Sequence, residues 1–588
     1  MRLLELEILR ALNKSGQRVI DVRDIIWLDV DMMCGIEYEE FPARIAEVAM
    51  WLIDHQMNMQ ISNEFGQYFV RLPLKKAAKI VHGDALKTDW QSLLNPVNEI
   101  NVVAKHANIY LVEEPQTEYK NVNIQTETFE IYRGKVPKEK IKIKFDFILG
   151  NPPFIGKKEQ TQGQKAEMEM LFAGVNGSGV LDYVTAWYLK AAQYIQNEKT
   201  KVAFVSTNSI VQGEQVGILW SLLFNRYNIH IHFAHRTFKW SNEAKGNAAV
   251  YCVIIGFAGY DTPNKSIFEY EDIRGEAHEI KSKSINPYLI DAKNVFILKR
   301  TLPLCKIPKM LEGITPLDNG ILSFSESEYL EFIKQEPASI KWFKPWITGD
   351  SFINRYKMYC LWLTNIKPEE IRSMPLLSKK IKQVKEFREN SKSSQKFAAT
   401  PWLFRETTIA KHYILVPKTS SENRKYIPIG FIEDAITSSS SLMINDANIY
   451  HFGILTSLMH MTWVKSVCGR LESRYRYSKD IVYNNYPWPD NPNEKQIKAI
   501  ETAAQKVLDA RLQFPNSSLA DLYDPLTMPP TLVKAHNELD KAVDLAYRPQ
   551  AFTSEANRMV FLFELYEKYT ADLFTKEKPK KPNKKKES

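Results

Sequence analysis

The residues with the clearest chemical potential lie at 151–154, where Asn151, Pro152, Pro153 and Phe154 end the apolar run 145–149 and Gly150. The two prolines fix φ and carry no amide hydrogen. The Asn151 side-chain oxygen and the Pro152 carbonyl are thereby left as acceptors directed at one point. Such a pair suits a primary amine that must be held while its lone pair attacks an electrophile, and Phe154 offers a flat face for a planar ring. A rigid turn with a capping Asn is the competing reading of these four residues taken alone.

Two earlier apolar runs also end in acidic residues, Glu37 in CGIEYEE and Asp84 in VHGDAL. In open α/β sheets ligands bind beyond the carboxyl ends of the strands. Acidic side chains there can accept bonds from the ribose hydroxyls and the exocyclic amine of an adenosine-type ligand. Taken singly, an Asp after a strand is equally at home as a helix cap or turn residue.

The elements that must position these groups follow from alternation. Short apolar runs at 30–36, 79–82, 144–149, 201–205, 229–233 and 249–257 alternate with helical stretches, which predicts an α/β domain with a largely parallel sheet. FPARIAEVAMWLIDHQMN, with Pro42 near its start, reads as a crossover helix. From about 266 the chain turns irregular, aromatic and proline-rich, and 388–406 reads as a basic, Ser-rich loop. Helical periodicity returns at 494–514, 532–545 and 554–573. The domains expected are therefore 1–265, 266–490, 491–575 and a disordered basic tail, 576–588.

Composition narrows the classes. The 588 residues carry a net charge of +9, and the seven lysines and two glutamates of the tail leave only +4 for the rest, so charge permits nucleic-acid binding without requiring it. No run approaches the roughly 18 apolar residues of a membrane span, and no signal-peptide pattern opens the chain, so a cytoplasmic location without membrane attachment is expected. Cys34, Cys252, Cys305, Cys360 and Cys468 are scattered, with no CxxC pair. They read as buried thiols, and neither a structural zinc site nor any other metal is expected.

FDFILGNPPF resembles the amine-binding motif of the class I S-adenosylmethionine-dependent amino methyltransferases. GIEYEEFPARIAEVAMWLIDHQMN, RLPLKKAAKIVHGDALKTDW, GVLDYVTAWYLKAA and RYRYSKDIVYNNYPWP are similar to the adenine-specific DNA methyltransferase part of the MmeI-like, type IIL restriction-modification family. That resemblance implies adenine-N6 methylation of double-stranded DNA, with S-adenosyl-L-methionine as cofactor. Asn151, Pro152, Pro153 and Phe154 would be catalytic, Glu37 and Asp84 cofactor-binding, and Asp182, with Tyr183, would shape the cofactor and base pockets. Asp182 and Tyr183 also fit an ordinary amphipathic helix.

In RLESRYRYSKDIVYNNYPWP, Arg470, Arg474, Tyr475, Arg476 and Lys479, with Tyr477 and Tyr483, are candidates for contacting phosphates and bases. Lys392, Lys396 and Arg405 form a second basic candidate. Core anchoring of the aromatics is the alternative.

The family's first strand ends in a glycine-rich loop, DPACGxGxF, for which this chain has no counterpart; GVNGSGVLDY follows no strand. The expected fold is thus an α/β class I methyltransferase (Rossmann-like) sheet lacking its first, central strand, a mixed α+β target-recognition domain and a helical C-terminal part. An upstream polypeptide supplying the missing loop and strand is an expected partner, with an internal start or a decayed fragment as alternatives. Cytosine-N4 methylation, methylation of a protein glutamine amide and a non-catalytic DNA-recognition subunit are rival functions.

Overall fold

The computed structural model describes residues 2–14, 26–65, 77–94, 144–240, 250–270 and 275–574; the basic tail lies outside them. The chain divides into two compact units, Met1–Asp146 and Phe147–Ser588.

In the first unit, helix α1 (Arg2–Lys14) packs on α2 (Glu40–Phe65) through Leu6, Leu9, Met57 and Ile61. The Arg2 guanidinium ties the pair by bonding to the Asn58 side chain and, at 2.9 Å, to the Leu28 carbonyl. Helix α2 is the expected crossover. It joins β1 (Cys34–Glu37) to β2 (Lys79–His82), which pair in parallel with Glu37 opposite His82. The strand expected at 30–36 is shorter because Asp29 accepts the Val30 amide at 2.8 Å and winds 30–32 into a single 3-10 turn.

The second unit opens with a six-stranded sheet in the order β3-β4-β6-β5-β7-β8, built from β3 (Phe147–Gly150), β4 (Lys201–Thr207), β5 (His230–Trp240), β6 (Val250–Ala258), β7 (Lys265–Tyr270) and β8 (Ala277–Ser282). β3 and β4 are parallel, but β6 runs antiparallel to both β4 and β5. This sheet is therefore mixed where a largely parallel one was expected. Only nine residues separate β5 from β6 in sequence, too few for the crossover that a parallel pair requires. β7 and β8 extend the same sheet, so the boundary expected after residue 265 cuts into β7.

Between the strands lie α3 (Gln162–Leu171), α4 (Thr185–Tyr194) and α5 (Glu214–Tyr227). The face of β4 bearing Val202, Phe204 and Ser206 is buried. Tyr188 of α4 meets Phe204 at 5.3 Å, Trp220 of α5 at 5.8 Å and Phe257 at 5.5 Å. Its hydroxyl is bonded to Ser206 at 2.7 Å and the Trp220 indole donates to the Ile210 carbonyl at 2.8 Å, so both polar atoms of this aromatic cluster are satisfied. Burial of each large side chain contributes about 1.5–3 kcal/mol, which makes this cluster the anchor for β4 and hence for β3.

The region that reads as irregular contains three small sheets. β9 (Met310–Glu312), β13 (His412–Pro417), β15 (Gly430–Glu433) and β17 (Ser441–Asn445) form one, and β10 (Ser323–Ser325), β11 (Phe343–Ile347), β12 (Met358–Leu361) and β16 (Ile436–Thr437) another. β14 (Thr419–Ser420), β18 (Gly469–Leu471) and β19 (Arg474–Arg476) make the third. Strands this short leave no period to read, and their partners lie far away in sequence.

Helix α6 (Pro375–Glu389) presses Leu377, Ile381 and Val384 into a core with Phe343, Trp346 and Phe404. Helix α7 (Leu458–Val467) precedes β18, and α8 (Glu494–Leu512), α9 (Pro530–Tyr547) and α10 (Glu555–Phe574) are the expected C-terminal helices. Among the described residues no helix is long and apolar enough to cross a membrane. All five cysteines are free; Cys252, Cys360 and Cys468 are buried, while Cys34 and Cys305 are only half-buried.

Candidate active site and recognition hairpin

The 151–154 segment leaves β3 where Gly150 lies opposite Phe204, a side chain that a Cβ on Gly150 would meet at 3.0 Å. Pro152 is buried, Asn151 and Pro153 are exposed, and Phe154 is half-buried. The Ile155 amide donates to the Pro153 carbonyl at 3.1 Å, which closes a tight turn. Among the described residues no protein group bonds to the Asn151 side chain or to the Pro152 carbonyl. Both acceptors keep their capacity for an incoming donor.

Asp182 holds the far side of this loop. One carboxylate oxygen accepts the Lys157 amide at 3.1 Å and the other accepts the Ser209 hydroxyl at 2.5 Å, while the Asp182 amide donates to Gln215 Oε1 at 2.9 Å. The Tyr183 amide donates to the Ile155 carbonyl at 3.0 Å, and its hydroxyl donates to Glu167 at 2.6 Å. Ser209 and Gln215 escaped the sequence reading. The signal that finds Ser209 is the one used for the other strand ends, since TNS closes β4.

In the first unit, Glu37 and Asp84 follow adjacent parallel strands, and the Gly83 amide donates to the Glu37 carbonyl at 2.8 Å. Glu37 Oε1 accepts the Tyr38 amide at 2.9 Å, and Oε2 has no hydrogen-bond partner among the described residues. Asp84 Oδ1 accepts the Leu86 amide at 2.9 Å, the turn role that its position allows, and Oδ2 pairs with the exposed Lys87 at 3.1 Å. Each carboxylate is thus oriented by backbone through one oxygen; Glu37 presents the other, and Asp84 shares its other with the exposed Lys87. That arrangement fits a ligand with paired hydroxyls and an exocyclic amine.

The basic-aromatic segment forms a hairpin. Arg470 lies opposite Tyr475 and Leu471 opposite Arg474, with Glu472 at φ 57° in the turn. Strand alternation sends Arg474 and Arg476 to solvent and buries Tyr475; Tyr477 and Tyr483 are also buried. The Arg470 guanidinium lies 3.9 Å from the Tyr475 ring centroid and donates to the Ser473 and Lys465 carbonyls, each at 3.1 Å.

The Tyr477 hydroxyl lies 2.9 Å from Nε2 of buried His460, whose pKa burial depresses to about 4. The Tyr483 hydroxyl donates to the Pro308 carbonyl at 2.7 Å. Arg474 pairs with exposed Glu472 at 2.8 Å, and Lys479 pairs with Asp480 at 3.1 Å.

In the second basic segment Lys392 and Lys396 are exposed and Arg405 pairs with Glu406 at 2.5 Å. Arg388, fully buried, donates to the carbonyls of Pro316, Leu317, Phe397, Thr400 and Leu403 and so folds that loop around itself. No sequence pattern marks this role, because its acceptors are backbone atoms.

The chain matches the family models described as MmeI, DNA-methyltransferase domain (residues 1–269), MmeI, target recognition domain (291–490) and MmeI, C-terminal domain (492–574). All three are parts of one kind of protein, a DNA methyltransferase with its own target recognition domain. The chain belongs to the MmeI-type family of these proteins.

DNA methyltransferase A of Bacillus subtilis (strain 168) is 37% identical over 577 residues, which are 97% of this chain and 59% of that protein. The solved structure of the Type IIL restriction-modification enzyme MmeI in complex with DNA is 48% identical, with a TM-score of 0.80, over 97% of this chain and 70% of that one. The chain thus spans about three-fifths of the length of the curated relative it matches.

Proposed function

We propose that this chain carries the amine-binding and sequence-reading parts of a restriction-modification methyltransferase that transfers a methyl group from S-adenosylmethionine to adenine N6 in double-stranded DNA. The observation that carries the reading is the pair of unengaged acceptors at the end of β3 beside Phe154, the exposed Asn151 side chain and the carbonyl of buried Pro152. The lone pair of adenine N6 is delocalised into its ring. Two acceptors on the amine hydrogens favour the pyramidal nitrogen that can attack and stabilise the positive charge developing on it. An extruded adenine stacks on Phe154, offsetting part of the few kcal/mol that extrusion costs.

Glu37 would hold the ribose and Asp84 the adenine of the cofactor, each through the oxygen not committed to backbone. S-adenosylmethionine supplies, when bound, an electrophilic methyl on a sulfonium sulfur. Arg474 and Arg476, exposed on the hairpin, would contact DNA, while Arg470 and Tyr475 would act by holding the hairpin's shape. In domain terms the catalytic part runs to the end of β8, followed by recognition to 490 and helices over 491–575.

Within the second unit, the strand order β3-β4-β6-β5 corresponds to strands 4-5-7-6 of the class I order. Among the described residues β1 pairs only with β2 and β3 only with β4. A strand edge with unpaired backbone groups invites a further strand. This supports a polypeptide segment, bearing a glycine-rich loop, that supplies the first strand.

Methylation is tested by sequencing the modified bases of a methylation-free host expressing the chain with and without that segment. N6-methyladenine at a fixed motif is the expected result. N4-methylcytosine would replace the adenine reading, and no modified base in either host would sink the enzyme reading.

A further inference from the structure

The two residues that hold Asp182, Ser209 and Gln215, flank Gly213, and Gly213 touches the recognition hairpin. Its amide donates to the Val467 carbonyl, the last residue of α7, at 3.0 Å. Its backbone lies at φ 65° and ψ −147°, a region open essentially to glycine alone. A Cβ there would meet the Cα of Gly469, the first residue of β18, at 3.1 Å and its amide nitrogen at 3.4 Å.

Beyond Gly469 the hairpin is braced by the Arg470 bonds to Lys465 and Ser473 and by the pairing of β19 with β14. Before Gly213, the path runs through Ser209 and Gln215 to Asp182, and from Asp182 to the Lys157 amide in the loop that follows Phe154. Each link is a backbone contact or a hydrogen bond, exposed only at its Lys157 end, and two glycines permit a place where the two regions meet backbone to backbone.

We propose that the Gly213–Gly469 contact is a fixed joint that holds the recognition hairpin at a set distance from the amine-binding loop. The joint thereby determines which position of the recognised sequence is methylated, and Asp182, Ser209 and Gln215 are positioning residues on its catalytic side. This rests on the methyltransferase reading above, but the joint itself has a signature that needs no methylation.

The test compares the full chain with Gly213→Ala, whose Cβ must enter the contact, with Gly469→Ala, whose Cβ would lie at an ordinary 3.8 Å from the Gly213 Cα, and with Gly179→Ala. The last is a control at a glycine with no atom near a would-be Cβ. Amide hydrogen exchange is read first. Gly213→Ala should speed exchange at Lys157 and Asp182 at least about tenfold while leaving β8 unchanged, Gly469→Ala should have a smaller effect, and Gly179→Ala should match wild type. If exchange at Lys157 and Asp182 is unaltered in a folded Gly213→Ala chain, the joint does not exist.

Methylation is read second, in whichever form of the enzyme methylates. Gly213→Ala should lose at least about tenfold in kcat with DNA affinity within about threefold of wild type, and unchanged kcat overturns the proposal. A wild type that never methylates defeats the enzyme reading, and the exchange result still decides the joint.

Discussion

The 151–154 loop and the 469–477 hairpin are both short, both rich in aromatic and polar residues, and opposite in how far the protein satisfies them. In the loop, the Asn151 side chain and the Pro152 carbonyl have no protein partner among the described residues. In the hairpin, Arg470 has two carbonyls and a ring, with only its Nε unpartnered, Tyr477 has His460, and Arg474 and Arg476 stay in solvent beside exposed Glu472. Polar groups left unengaged at a surface are available to a ligand, and those the fold has saturated are structure. The difference sorts residues of the same chemical type into different jobs.

Replacing Asn151 by Ala removes one of the two acceptors without disturbing packing, because the side chain is exposed. We expect a loss of about 10² to 10³ in methylation kcat, the range for one charge-stabilising group, with an unchanged melting temperature. A variant that keeps its rate would abolish the contrast.

The saturated side is probed by acid. His460 is buried and neutral, with a folded pKa of about 4 against an ordinary value of 6.5. A lowered folded pKa means its contribution is fully present above pH 6.5 and is lost as pH falls towards 4. Urea unfolding at pH 7 and pH 5 should differ by about 2 kcal/mol more in wild type than in His460→Gln, from 1.36 kcal/mol per unit. Equal pH dependence would mean that the imidazole is not enclosed.

Arg470→Ala should cost about 2 kcal/mol of stability by leaving the carbonyls of Lys465 and Ser473 without their donor, and this is visible as a lower urea midpoint. By contrast, Arg474→Ala and Arg476→Ala should leave the midpoint unchanged. Each should weaken DNA binding modestly and lower the slope of log K against log salt by about one if it meets a phosphate. If Arg470→Ala behaved like Arg474→Ala, the sorting of the hairpin by saturation would be wrong.

Much of the architecture was legible. Among the described residues, six strands up to residue 258, the crossover helix and the long C-terminal helices announce themselves by period and by flanking breakers, although the order that makes the sheet mixed does not. Asn151, Glu37 and Asp84 were found because strand ends are where α/β sheets work. Ser209 closes β4 in the same manner and was overlooked. Arg388 was read only as part of a basic loop, yet it is the buried centre on which that loop is folded.

What the sequence by itself determined is local. Two prolines after a strand forbid amide donors and aim two acceptors wherever the chain goes, and RYRY in a strand must alternate between faces. Only the tertiary structure decided which face is buried, that Arg470 turns inward while Arg474 and Arg476 do not, and that Gly213 meets Gly469 across 256 residues. Backbone carbonyls and close glycine contacts carry these choices, and neither has a side chain in which a sequence could record its partner.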